Sequence, residues 1–135
     1  MATFNLQIIT PKKIVFKQDV EMAILRTTEG DMGILPNHAP FVAELVIGEM
    51  KVKLGAESEE MFFVAGGFLE IANNKVTILA DDAMNAKDID IEQAKKEAEI
   101  AQAKLSKLKE DRDIAATERA LQESLAKIRV SETLR

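Results

Sequence analysis

At 135 residues and 14.9 kDa, 47% hydrophobic and 30% charged, with a mean hydropathy of -0.07, the chain suits one compact domain or a small domain with an appendage. Zero cysteines exclude disulfides, thiolate chemistry and Cys-ligated metals, and favour a reducing interior. A net charge of -5 with no Trp or Tyr argues against nucleic acid, and the longest apolar run, Met61 to Leu69, is far short of the roughly 20 residues of a spanning helix.

The chain begins MATFNLQIITPKK, which has neither a basic flank followed by an apolar block nor the Arg/Ser-rich look of a transit peptide, so a product made and used in one compartment is expected. Phe4, Leu6 and Ile8 then alternate with polar residues, as do Val20, Met22 and Ile24, Met50, Val52 and Leu54, and finally Val76, Ile78 and Ala80. Each set has the period of a half-buried strand. Turn signals fall at Thr10-Pro11, Glu29-Gly30, Ile47-Gly48, Gly55 to Glu59 and Asn73-Asn74, the last a pair that tolerates the positive angles of a tight hairpin. No helix fits between them. Antiparallel strands without crossovers mean a sandwich or a barrel. One stretch stands apart: GDMGILPNHAPFV, Gly30 to Val42, crowds two glycines, two prolines and the single histidine into an apolar bend.

Composition changes near Asp81 to Asp88. All six Gly, all three Pro and all six Phe lie before residue 69, whereas Ala86 onward is Ala, Leu, Ile, Lys, Glu, Gln and Asp without a breaker. Asp90 is placed to cap a helix, and Gln93 completes a capping box. Ile91, Ala94, Ala98, Ala101, Leu105 and Leu108 form one stripe. Ile114, Thr117, Leu121, Leu125 and Ile128 form a second after the polar break Lys109 to Asp113, so an antiparallel hairpin is expected. The break has no Gly or Pro, so the two helices can straighten into one of about 40 residues and about 60 Å. Charges in 86–135 balance, eleven basic against eleven acidic, which leaves the net -5 on the strands.

Enzyme signatures are missing. Gly66-Gly67 precedes Phe68 without the Lys-Ser/Thr of a phosphate loop and reads as a bulge or tight bend. His38 has no second imidazole to share a metal with. Asp81-Asp82 and Glu59-Glu60 read as solvated turn acids, and no serine has a histidine beside it.

Within this layout, Glu29-Gly30-Asp31-Met32-Gly33-Ile34-Leu35-Pro36-Asn37-His38-Ala39-Pro40, then Ala65-Gly66-Gly67-Phe68-Leu69-Glu70-Ile71, Lys75 to Leu79 and Lys87-Asp88-Ile89-Asp90 resemble the epsilon subunits of F-type, proton-translocating ATP synthases over essentially the whole chain. The resemblance implies an α+β fold: an antiparallel β-sandwich of about ten strands over 1–85, carrying a C-terminal helical hairpin over 86–135. It further implies a non-catalytic central-stalk subunit that links the gamma subunit to the c-ring. The tail permits rotation when folded down, and when extended along gamma it inserts between alpha and beta subunits and blocks ATP hydrolysis. Asp31 is then expected to face the c-ring, with His38 in the neighbouring bend, and Arg112, Arg119, Lys127 and Arg129 to meet acidic segments of the beta subunit. The chain would sit at the cytoplasmic face of a bacterial membrane, or the stromal face of a thylakoid, only through the complex.

Some bacterial members bind ATP on the folded hairpin through Ile/Leu-Asp-x-x-Arg-Ala, and the corresponding stretch is Ile89-Asp90-Ile91-Glu92-Gln93-Ala94. Gln93 lacks the charged fork that phosphate favours. Ile89, Asp90 and Ala94 are therefore candidate ATP contacts only, and no cofactor is required. Two other readings compete with the stalk subunit: an ATP-sensing module whose hairpin closes on nucleotide, and an unrelated adaptor that dimerises through its Ala/Leu stripe.

Overall fold

The computed structural model describes residues 2–107 and 111–133, the side chains at 111, 112 and 133 excepted. Leu108, the Lys109 and Glu110 of the expected break, and the Arg112 side chain lie outside the described residues, whereas Asp111 to Asp113 of that break already belong to the second helix. Eight strands precede two helices: β1 Phe4–Ile9, β2 Ile14–Val20, β3 Met22–Thr27, β4 Gly30–Ile34, β5 Phe41–Gly55, β6 Ser58–Ala72, β7 Lys75–Ala80 and β8 Ala83–Asn85. A short 3-10 turn, Ala86–Asp88, leads to α1 Ile91–Leu105 and α2 Asp111–Thr133, which pack together as a hairpin.

Strand order is β2-β1-β7-β6-β5-β3-β4, with β8 also on β6. Long β5 and β6 pair along almost their whole lengths and serve both layers of the sandwich. The N-terminal half of β6 carries β8, and its C-terminal half carries β7. Cut at their kinks, these two strands would each count twice, which accounts for about ten expected strands against eight observed.

The kink sits where the sequence has its glycine pair. Before it Phe62 and Val64 point inward, after it Leu69 and Ile71 do, so the inward parity switches. Gly66 and Gly67 have φ of 84° and 118°. A Cβ on Gly67 would run into the Leu79 carbonyl and the Ala80 backbone, so only glycine fits.

Three expectations need correction. Val20, Met22 and Ile24 do not share a strand face: Glu21 ends one strand, its N–H bonds Lys53 O, and the next strand buries Ala23 and Leu25 while Ile24 is exposed. Ile47-Gly48 is no turn but the middle of β5. The sheet is not antiparallel throughout, since β1 and β7 pair in parallel.

The core lies between the layers. Phe4, Leu6, Ile8, Met50, Val52, Phe62, Leu69, Ile71 and Ile78 are fully buried there. Phe16 of β2 meets Phe62 of β6 edge to face, ring centroids 5.3 Å apart, and so ties the two layers.

Candidate functional site

The chain from Phe62 to Ala65 is buried on both sides. Phe62 and Val64 face the sandwich core, while Phe63 and Ala65 face outward and form a second cluster with Ala86, Ala126 and Val130, edged by Ile47, Met61, Met84 and Ile89. The outer side of β5 and β6 is thus the seat of α2.

Two faces of α2 are used at once. Ala126 and Val130 lie on the sheet, whereas Thr117 and Ser124 border a cavity against Ala101 of α1. The expected stripe Ile114, Thr117, Leu121, Leu125 and Ile128 is therefore replaced by Thr117, Ser124, Ala126, Val130 and Ser131 as the buried positions, with Leu125 exposed. The first stripe holds as expected at Ile91, Ala94, Ala98 and Ala101. Small side chains on both helices permit close approach.

Around the apolar seat, the cations of α2 reach back to the strands. Arg119 donates from Nη2 to the Ala65 carbonyl at 2.9 Å and to Asp81 Oδ2 at 3.1 Å, and its Nε lies 3.3 Å from Glu123 of its own helix. Lys127 Nζ sits 5.2 Å from the Phe63 ring centroid, a cation–π contact. Arg129 Nε lies 3.7 Å from Glu49 Oε2. The structure thus places three of the four basic residues of the second helix on one seam, and Asp81 is more than the solvated turn acid expected of it.

The Gly30 to Val42 bend lies elsewhere. Asp31 is on β4, opposite Arg26 of β3, and their side chains approach to 3.8 Å. Asn37 adopts φ 64° between the two prolines, and its N–H donates to Asn74 Oδ1 at 2.7 Å. Asn74 in turn donates to the Thr3 carbonyl, so one side chain ties the bend to the N-terminal strand. The expected hairpin at Asn73-Asn74 is present, with φ of 52° and 58°. His38 Nδ1 contacts the Ala39 carbonyl at 2.7 Å, and its ring lies 6.2 Å from that of Phe41. Asp31 and His38 thus have separate partners rather than forming one cluster.

The candidate nucleotide contacts border a recess of about 240 Å³, lined in part by Asp88, Ile89, Asp90, Gln93, Ala94, Glu97 and Lys127. Asp90 caps α1 as expected, its Oδ1 accepting from Gln93 N–H at 3.1 Å. The capping box is only half made, because the Gln93 side chain donates to Glu97 instead of reaching back. One lysine faces three carboxylates here, an arrangement that repels a triphosphate. Among the described residues no group of three or more His, Asp or Glu is placed to hold a metal ion. Arg26 and Glu49 were not singled out by the sequence, and Asn74 only as a turn residue, since their partners are distant along the chain.

Comparisons with known proteins agree with this architecture. Residues 3–86 match the family described as ATP synthase, Delta/Epsilon chain, beta-sandwich domain, and residues 87–132 match its long alpha-helix domain. The chain is 59% identical over 132 residues to the ATP synthase epsilon chain, sodium ion specific, of Propionigenium modestum, covering 98% of this chain and 96% of that one. It is 41% identical over 128 residues to the ATP synthase epsilon chain of Nitratidesulfovibrio vulgaris, covering 95% of each. In fold it is similar to a chain in the Euglena gracilis mitochondrial ATP synthase structure of OSCP, F1 and c-ring, with a TM-score of 0.82 and 24% identity, over 100% of this chain and 83% of that one. A sandwich with a double-glycine kink, a docked pair of helices and these matches across both parts mean that the chain belongs to the epsilon subunits of ATP synthase, a non-catalytic component of that complex.

Proposed function

We propose that the chain is a central-stalk subunit that joins gamma to the c-ring during ion-driven ATP synthesis, and that it inhibits ATP hydrolysis when its two helices leave the sandwich. The observation that carries this reading is the make-up of the α2 seat. Phe63 is the one large side chain fully buried under a 23-residue helix, beside Ala65, Ala86, Ala126 and Val130, and cations at least partly open to solvent supply the rest of the attachment. Such an interface is separable at a cost of a few kcal/mol, the range over which ligands and partners shift conformations. Arg119, Lys127 and Arg129 would then exchange contacts on the strand part for acidic segments of the beta subunit.

The gamma-facing surface in this reading is the outer side of β5, β6 and β7. Phe68 and Leu79 stand opposite each other there, 57% and 54% exposed, with Val42 nearby at 68%. An apolar pair left open in this way, with Val42 diagonal to it across the Glu44 and Glu70 positions, suits a protein contact. Asp31, on β4 before the stiffened bend, is assigned to the polar loops of the c-ring. Membrane attachment would be peripheral, at the cytoplasmic or stromal face, since among the described residues no helix is long and apolar enough to cross.

One refinement belongs to the same reading. The hairpin closes without nucleotide, because Gln93 stands where the nucleotide-binding pattern has arginine, and Asp88, Asp90 and Glu97 border the same recess. Deleting Ala86 to Arg135 and reconstituting with alpha, beta and gamma tests the main claim. Assembly should persist while hydrolysis rises, and an unchanged hydrolysis rate would refute the brake.

A further inference from the structure

Glu49 stands between two arginines from different parts of the molecule. Arg26 Nη2 donates to Glu49 Oε1 at 2.7 Å, while Arg26 Nε lies 3.8 Å from Asp31 Oδ1. Arg129 of α2 approaches the other oxygen, Oε2, to 3.7 Å. That oxygen is sealed from solvent and accepts no hydrogen bond among the described residues, so the guanidinium of the helix is the cation on its side of a carboxylate whose charge Arg26 shares in offsetting. Gly48 favours the arrangement: the arginine stem lies across it, and a Cβ there would sit 3.0 Å from Arg26 Cδ, so the stem would have to shift. A recess of about 170 Å³ bordered by Arg26, Asp31, Glu49 and Lys51 leaves Arg26 room to turn.

We propose that Glu49 is a positioning residue for which Arg26 and Arg129 compete, so that seating of the tail and placement of Asp31 are coupled through one carboxylate. With α2 seated, Glu49 divides its oxygens: Oε1 holds Arg26 by a single hydrogen bond, and Arg26 keeps Asp31 within reach. When α2 lifts, Oε2 is free, and the planar fork of Arg26 takes both oxygens. Arg26 then withdraws from Asp31, whose carboxylate is released for the contact it makes beyond this chain. The coupling is reciprocal, so anything that draws Asp31 away from Arg26 also loosens the seat of Arg129. The functional meaning rests on the reading of α2 as movable and of Asp31 as a ring contact, whereas the coupling itself is measured on the isolated full chain.

The absence of cysteine allows a single engineered thiol to report opening. Ala126 is fully buried beneath the helix, so the labelling rate of Ala126→Cys by a small thiol reagent follows the fraction of chains with α2 lifted, and Val130→Cys serves where the first variant fails to fold. Glu49→Gln should raise that rate by about fivefold, the upper end for a partly exposed pair. Arg26→Gln should lower it by about twofold, because the competitor of Arg129 is gone. With both changes the rate should equal that of Glu49→Gln alone. In the cysteine-free chain, Arg129→Gln should move the Arg26 Nε–H and Asp31 carboxyl resonances. General loosening of the fold would speed labelling in both single variants. An unchanged or faster rate in Arg26→Gln, or silent Arg26 and Asp31 resonances, overturns the proposal, and neither result depends on ATP hydrolysis.

Discussion

Two interfaces on opposite sides of the same strands are built from different side chains. Inside the sandwich, β5 and β6 bury Met50, Val52, Phe62, Leu69 and Ile71 against Phe4, Leu6, Ile8 and Ile78. Outside, the same strands meet α2 through Ala65, Phe63, Ala126 and Val130, ringed by Arg119, Lys127 and Arg129. Branched and aromatic groups packed to crystal-like density fix the first interface. The second has one aromatic ring, Phe63, and one branched side chain, Val130, among alanines and cations, and is smaller. Within one chain, side-chain size thus sets how deeply each contact is packed, and the proposed departure of α2 would break the shallower one.

Truncations in the two interfaces should separate them, beginning with the deepest. Phe62→Ala should destabilise the strand part by about 3–5 kcal/mol in chemical denaturation, since it empties the core and removes the edge-to-face contact with Phe16. Gly67→Ala should cost about 2–3 kcal/mol by the same measurement, because the positive φ and the Leu79 carbonyl both oppose a side chain. Val130→Ala removes two buried methyl groups at the outer seat and should weaken docking by about 1.5 kcal/mol. Its signature is selective: faster exchange at α2 with an unchanged denaturation midpoint for the strands. Asp90→Ala should cost the hairpin about 1 kcal/mol by thermal circular dichroism, through loss of the α1 cap. Arg119→Gln should come last, at about 0.5 kcal/mol, because its ion pair with Asp81 is half exposed. If Val130→Ala unfolds the strands as well, the two interfaces are one cooperative unit and the contrast fails.

What could be read from the sequence follows the range of each interaction. The change of composition near Asp81 to Asp88, the Asp90 cap, the Asn73-Asn74 hairpin and the alternations in β1 and β7 are set by neighbouring residues, and they appear where expected. Glu21 ends a strand without a glycine or proline, so the inward positions of β3 read one residue out of phase. Gly48 resembles a turn residue, yet its role is to admit the Arg26 stem across β5. The second helical stripe misled because α2 faces two surfaces, which places Ser124 and Ala126 in contact and leaves Leu125 outside. Nothing local pairs β1 with β7, or Arg26 with Glu49 some two dozen positions away; those contacts exist only once β3 lies beside β5. The site follows the same division: Asp31, Arg119, Lys127 and Arg129 stood out as motif or helix charges, while Glu49, which receives Arg26 and Arg129, did not, and neither the bond from Arg119 to the Ala65 carbonyl nor that from Asn37 to the Asn74 side chain was legible.

The proposal that the tail leaves its seat in order to brake is tested by preventing departure. Asp81→Cys and Arg119→Cys, in a chain with no other cysteine, can be joined by a short bis-maleimide that spans the gap left by the arginine side chain. Reconstituted with alpha, beta and gamma, the joined chain should leave ATP hydrolysis as fast as the tail-deleted chain does, while the unjoined double variant should inhibit. Equal inhibition by joined and unjoined chains would show that the helices act without moving from the sandwich.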